Sequence, residues 1–219
     1  MEDPPLGPRS SPLCDHFILT GTEGTGTGES FTRFPVSEGD CLIGGRGHST
    51  ANGIAHVADA GGYVPVRVNT GSLPLKASDG GRLNLLREVR NLHRPGAVSA
   101  WPAATDPGSA SNAVAGRVCA IRRSDAAIAI AERKLRETAV SKGRSPKPET
   151  LEFARYAIVF TTFPASEFPP DRVLQWYRIR CGPSRSSSAS GPSPSLAICP
   201  NTVLKARRRG YTENCSPRR

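Results

Sequence analysis

Residues 156–163 read Tyr-Ala-Ile-Val-Phe-Thr-Thr-Phe, a run of aromatic and β-branched residues typical of a buried strand. Shortly after it, Pro170 and Asp171 open a second pattern. Proline is favoured in the first turn of a helix, and an acidic residue is favoured near the positive end of the helix dipole. Val173, Leu174 and Tyr177 then form an apolar side at helical spacing. A buried strand followed by an amphipathic helix predicts a mixed α/β chain.

A longer helix is predicted upstream, over residues 125–142. Ser124 is a good N-cap for it, and Gly143 is a good terminator. Its predicted apolar face consists of Ile128, Ala131, Leu135 and Ala139.

Two more stretches indicate strands. Residues 31–43 end in the apolar run Cys41-Leu42-Ile43, and residues 62–69 contain the β-branched pattern Tyr-Val-Pro-Val-Arg-Val. Pro65 predicts an edge strand or a bulge in the second stretch. By contrast, residues 92–116 and 142–148 predict loops, since they are rich in small residues, turn-forming residues or both, and residues 181–195 predict low-complexity coil.

Composition limits the class of protein. Hydrophobic residues make up 37% of the 219 residues, and glycine (22) and proline (20) are frequent, which is a weak composition for a large core. No apolar run approaches the roughly 20 residues of a membrane span. Residues 1–12 lack the basic and apolar regions of a secretory signal. We therefore expect a soluble cytoplasmic protein without a membrane partner.

The net charge of +10 favours a polyanionic partner. Much of it lies in residues 178–219, which hold nine basic residues and one acidic residue. Such a tail can follow phosphates or can simply be solvated, and charge alone does not separate the two interpretations. The six cysteines form no Cys-x-x-Cys pair and the four histidines are scattered, so free thiols and no metal site are predicted.

Two glycine-rich stretches are candidate phosphate loops. Residues 24–28, Gly-Thr-Gly-Thr-Gly, lack the Gly-Lys-Ser/Thr ending, and a plain turn is favoured. Residues 44–48, Gly-Gly-Arg-Gly-His, directly follow an apolar strand, and the end of such a strand is where α/β folds place their chemistry. Arg46 there could meet a phosphate, although a glycine turn is the simpler interpretation. No acidic cluster emerges from Asp40, Glu167 and Asp171.

Residues 29–34 and 39–48, together with residues 156–163 and 173–180, resemble the type-four group of bacterial insertion-sequence DDE transposases. This group has a β-rich insertion and a Y-x2-R-x3-E-x6-K signature. The similarity covers roughly residues 14–180. It implies a partial RNase H-like core in which Mg²⁺, held by three acids in the intact family, supports attack on DNA phosphodiesters.

The resemblance also implies that the catalytic acids are missing from this chain. Gly45 stands where the family has its second Asp, before Arg46-Gly47-His48. Tyr177 and Arg180 match the start of the signature, whereas its Glu falls at Ser184 and its Lys at Gly191. The first Asp is expected upstream of the matched region. No cofactor is therefore expected to be retained. By resemblance, Arg46, Tyr177 and Arg180 are the candidate DNA-binding residues.

A frameshift at both ends is the hypothesis that accounts for these losses. In a shifted frame, permitted codons give Trp-Arg-Ile-His near residues 1–5 and Glu at Ser184, and on this interpretation the basic tail is an accident of frame. The predicted organisation has five parts. They are an out-of-frame N-terminus (1–13), a partial core (14–95), an insertion region with one helix (96–150), a return strand with the start of the signature helix (151–180), and a disordered basic tail (181–219).

The sequence thus predicts an inactive remnant of a transposase whose partner is transposon-end DNA. Its helix at 125–142 would contact that DNA in a complete enzyme. One alternative is a non-enzymatic inhibitor of transposition that binds DNA or pairs with an intact transposase copy. Another is an unrelated small basic protein that binds RNA or ribosomes.

Overall fold

The computed structural model describes residues 30–106 and 112–179, together with the backbone of residues 204–207. Two short 3-10 turns lie at Phe31–Arg33 and Arg46–His48. The strands and helices, in chain order, are β1 (Asp40–Ile43), α1 (Ala51–Asp59), β2 (Pro65–Arg67), β3 (Leu75–Lys76), α2 (Leu85–Arg90), β4 (Val98–Thr105), β5 (Ala115–Arg122), α3 (Asp125–Val140), α4 (Pro148–Phe153), β6 (Tyr156–Thr161), α5 (Pro170–Ile179) and β7 (Leu204–Arg207). The expected mixture of helices and strands is confirmed.

The strands form one antiparallel sheet with an extension at one edge. Its order is β2-β6-β5-β4-β3, and every neighbouring pair is antiparallel. β1 continues the sheet beside β2 through parallel bridges, and β7 pairs antiparallel with the other side of β1. The sheet therefore crosses the expected boundaries at residues 95 and 150, because β5 pairs with β6 and β6 pairs with β2.

The prediction that Pro65 places its strand at an edge is confirmed for the five-stranded sheet, in which β2 is the edge strand, and β1 lies beside it through isolated parallel bridges. The parallel contact is made by backbone bonds from the Leu42 N–H to the Tyr63 carbonyl (2.9 Å) and from the Gly44 N–H to the Pro65 carbonyl (3.1 Å). Pro65 has no N–H to return toward Leu42, so the ladder lacks its middle bond. A proline is accommodated here at the cost of one hydrogen bond in a short parallel contact.

Helices cover both faces of the sheet. Because side chains alternate along a strand, Leu42, Val66 and Phe160 face α1 and α2 in the larger core, together with Ile54 and Val89. The opposite face carries a second apolar cluster under α5, made by Cys41, Ile43, Cys119, Val159, Phe163, Val173, Leu174 and Tyr177. β1, β5 and β6 each have residues in both clusters, and all four residues of β1 are buried.

The loop prediction for residues 92–116 is wrong, because β4 and the start of β5 fall within it. Its Ala- and Pro-rich composition hides a strand that is held by pairing with β5 along its length. Pro102 is tolerated because its nitrogen points away from β5. On that side β3 pairs only with Ala104 and Thr105.

The helix prediction for residues 125–142 is confirmed. The Ser124 hydroxyl accepts the Ala127 N–H at 3.4 Å, and Gly143 after the helix takes a positive φ of 62°. The predicted apolar face is the less exposed one, but only Ala139 in the helix is fully buried. α3 therefore projects from the sheet more than it packs on it. In the described part of the chain, no helix has both the length and the apolar character needed to cross a membrane.

Candidate functional site

The carboxyl ends of the parallel strands β1 and β2 meet at residues 44–46 and Arg67. The Arg67 N–H donates to the Gly44 carbonyl at 3.2 Å, which is the last bond of the parallel contact. Gly45 follows directly and Arg46 begins the 3-10 turn. The structure therefore brings the expected Gly45 and Arg46 together with Arg67. We call residues 44–46 and Arg67 the β1 carboxyl-end site.

Gly45 has the backbone of an ordinary extended residue. Its φ of −82° and ψ of −172° are open to any L-amino acid. Gly44 differs, because Phe31 and His48 lie tightly against it. A side chain at position 45 is thus compatible with the local backbone conformation, whereas one at position 44 is not compatible with the packing.

Three rings, those of Phe31, Phe34 and His48, pack together at the turn that follows Gly45, and we call them the aromatic floor. The buried His48 ring lies 5.2 Å from the Phe31 ring and 6.5 Å from the Phe34 ring, measured between centroids. Ser49 joins the turn to the loop after β2, because its hydroxyl accepts the Asn69 N–H at 3.2 Å and its carbonyl accepts the Ser72 hydroxyl at 2.8 Å. The loops after both strands are therefore held in fixed positions.

The two charged side chains of the β1 carboxyl-end site, Arg46 and Arg67, are cationic. Arg46 is exposed and Arg67 is half-buried. Asp40 lies at the opposite end of β1, where its carboxylate accepts the Ser37 N–H at 2.7 Å. Within residues 30–106 and 112–179, no cluster of three or more His, Cys, Asp or Glu side chains could hold a metal ion. The site is suited to an anion such as phosphate.

The helix α5, which carries Tyr177, packs on the other face of the sheet, mainly over β5. Tyr177 is 7% exposed and packs in the cluster that contains Cys41 and Ile43. Tyr177 is thus a core residue. Arg180, Ser184 and residues 24–28 lie outside the described residues. Asp171 lies in the first turn of α5, as its position after Pro170 predicted.

Two interactions fix the start of α5. The buried Arg117 guanidinium donates to the Phe168 carbonyl. Phe163 stacks on Phe168 with 4.3 Å between ring centroids, and Trp176 meets both rings edge-on. These contacts hold the helix against the sheet close to where it begins.

The two cysteines in the described region are buried free thiols. Burial raises the pKa of Cys119 to about 11, although the nearby Arg117 charge opposes the shift. Burial also raises the pKa of Cys41 well above its ordinary value, and the negative charge of Asp40 adds to this. A thiol that stays protonated is a poor nucleophile and a poor metal ligand, so these cysteines are core residues.

Sequence reasoning missed Arg67 and the aromatic floor. Arg67 alternates with Val66 and Val68 in its strand, and that alternation is the signal that places it on the face opposite the larger core. The contact of Phe31 with His48 brings together residues 17 positions apart and has no comparable local pattern.

Comparisons with protein-family models, with curated proteins and with solved structures give no match to this chain.

Proposed function

We propose that this chain is a transposase-family protein that holds transposon-end DNA and does not cut it. It would be an RNase H-like core that has lost its catalytic acids, at Gly45 and at Ser184. The observation that carries the proposal is Gly45 itself. It stands immediately after the buried strand β1, in a backbone conformation that an aspartate would adopt readily.

The path of the chain supports an RNase H-like core. β1, the crossover helix α1 and β2 form a parallel βαβ unit on one face of the sheet. α5, which carries Tyr177, packs on the opposite face, mainly over β5, in the apolar cluster that also contains Cys41 and Ile43 of β1. In this arrangement the residues that follow β1 and those that follow α5 are both candidates for a shared site.

The residues present do not fit the Mg²⁺ ions of the family. Hard divalent cations take oxygen ligands, mainly carboxylates. Gly45 offers no side chain, and Arg46 and Arg67 bring positive charge to the same end of β1. These residues therefore could not hold the metal ions that phosphodiester cleavage requires in the family.

DNA binding is the part of the parent activity that these residues can still support. An exposed guanidinium can pair with a phosphate in bidentate geometry, and the chain carries a net charge of +10. Binding of this kind releases counterions, so it weakens steeply as salt rises.

A salt-dependent gel shift tests the proposal, using a duplex taken from the inverted repeats that the proposal expects beside the gene and a scrambled duplex of equal length. We expect the end duplex to bind more tightly than the scrambled one. Arg46→Ala should lower the slope of log affinity against log salt by about one. Arg87→Ala, which removes the same charge from an exposed position on α2, is the matched control. Absence of any shift at low salt, or equal effects of the two variants, would contradict the proposal.

A further inference from the structure

β1 has the character of an interior strand although it lies near the edge of the sheet. All four residues of β1 are at most 4% exposed. The Leu42 side chain lies in the larger apolar cluster, and those of Cys41 and Ile43 lie in the second. Edge strands are usually blunted by charges, prolines or bulges, because their free backbone groups invite pairing with other chains. Residues 40–43 contain no proline, and the charge of Asp40 is buried, so a neighbouring strand must protect them.

Hydrogen bonds to β2 define which backbone groups of β1 remain to be paired. The N–H groups of Leu42 and Gly44 donate toward β2. Because backbone groups alternate in direction along a strand, the N–H and C=O groups of Cys41 and Ile43 point to the opposite side. This is the side on which β7 lies, in a register that sets Cys41 opposite Ala206 and Ile43 opposite Leu204.

We propose that Leu204–Arg207 is an edge strap, a strand from the end of the chain that closes the open side of β1 and blocks pairing with a second copy. The register makes Cys41–Ala206 and Ile43–Leu204 the hydrogen-bonded pairs, while Leu42–Lys205 and Asp40–Arg207 are the non-hydrogen-bonded pairs. Two of the four strap residues are basic, a composition that discourages further strand addition. This proposal is independent of the proposed function.

The distance along the chain between α5 and residues 204–207 is compatible with the strap. Residues 180–203 connect α5 to it, and the entropy cost of closing a loop rises only slowly with loop length. Four residues of antiparallel pairing give a small contact, so the strap is expected to open more readily than the central strands.

Amide hydrogen exchange of the full chain, resolved by residue, is the first test. The N–H groups of Cys41 and Ile43 have no partner on β2, so the proposal expects them to be protected at least about tenfold relative to an unfolded chain. An Hα–Hα nuclear Overhauser effect between Leu42 and Lys205 is expected as well, because Cα atoms of a non-hydrogen-bonded pair lie only about 4.5 Å apart. Unprotected Cys41 and Ile43 amides beside a protected Leu42 amide would overturn the proposal.

A matched pair of proline variants assigns that protection to the strap. Ala206→Pro removes an N–H that is aimed at β1, whereas Lys205→Pro removes one that points away from it. We expect Ala206→Pro to lower protection of Cys41 and Ile43 about tenfold or more and to promote self-association in sedimentation, with Lys205→Pro close to the parent chain. Equal behaviour of the two variants would overturn the register. The amide exchange rates of Val118 and Phe160 in the central strands report whether either variant has unfolded. If one has, the protection of Cys41 and Ile43 in the parent chain decides whether the strap is present.

Discussion

The ring of Phe31 fills the space that a β-carbon on Gly44 would need. An ideal Cβ at Gly44 would lie 2.4 Å from Phe31 Cζ, and one at Gly53 would lie 3.4 Å from Phe31 Cβ. Phe31 is fully buried and also faces His48. One aromatic side chain thus joins the residues before β1 to the end of β1 and to α1, which makes residues 31–59 a single packed unit.

Gly44→Ala is expected to destabilise the protein by about 1–3 kcal/mol, because the added methyl overpacks against a buried ring that has little room to move. Chemical denaturation with a two-state fit measures the effect. Gly71→Ala is the control, since the nearest atom to its added Cβ would be Asn69 Oδ1 at 3.5 Å, and we expect a change of no more than about 1 kcal/mol there.

A double-mutant cycle tests whether Phe31 is the cause. In a Phe31→Leu background, which shortens the side chain that meets Gly44, the cost of Gly44→Ala should shrink, with a coupling energy of about 0.5–3 kcal/mol. Additive effects of the two substitutions would show that Gly44 is required for another reason.

The stability of the protein is expected to fall as the pH rises from about 9 toward 11, in part because of Cys119. Burial raises the pKa of this thiol from 9.0 to about 11, so above pH 9 the unfolded chain releases a proton that the folded chain retains. Unfolding is then favoured by up to about 1.4 kcal/mol per pH unit for this group. Cys119→Ala should reduce the slope of unfolding free energy against pH in this window, and an unchanged slope would refute the burial effect.

A bidentate ion pair between Arg90 and Glu152 connects α2 to α4. Arg90 Nε and Nη2 donate to the two carboxylate oxygens of Glu152 at 2.7 and 2.9 Å. The hydrogen bond from Arg90 lowers the pKa of Glu152, so its contribution is present near neutral pH and is lost as the pH falls below the ordinary range of a glutamate. Glu152→Gln should therefore lower Tm slightly at pH 7 and leave it unchanged at pH 3. Because the pair is exposed, high salt should reduce the difference at pH 7.

Sequence patterns predicted the elements whose signals are local. β6 is a run of β-branched and aromatic residues, and α5 and α3 begin at Pro170 and behind Ser124, as their capping residues indicated. A buried strand or a capped helix is determined by its own residues and their spacing.

The missed elements depend on residues distant in the chain. The Ala-rich β4 is a strand because β5 pairs with it, and β7 is a strand because β1 has an open side. The edge position of β2 agrees with Pro65, whereas its parallel bridges to β1 join residues that sequence reasoning did not place together. Gly45 and Arg46 were found from the motif after β1, whereas Arg67 joined the site only through the parallel contact of β1 with β2.

Gly45→Asp is expected to be tolerated far better than Gly44→Asp. The two glycines are neighbours, but Gly45 has an extended backbone, whereas a β-carbon at Gly44 would overlap Phe31. Soluble yield and Tm of the two variants compare them directly. A Gly45→Asp protein that unfolds as readily as Gly44→Asp would contradict the view that position 45 can hold an aspartate.

The proposed function combines DNA binding with the absence of cleavage, and a single assay can measure both. The purified chain is incubated with a labelled transposon-end duplex and Mg²⁺ or Mn²⁺ at low salt, and both the shifted complex and the cut strands are measured in the same samples. We predict a salt-sensitive complex and no metal-dependent cleavage. Cut strands that appear only with the metal ion would contradict the account.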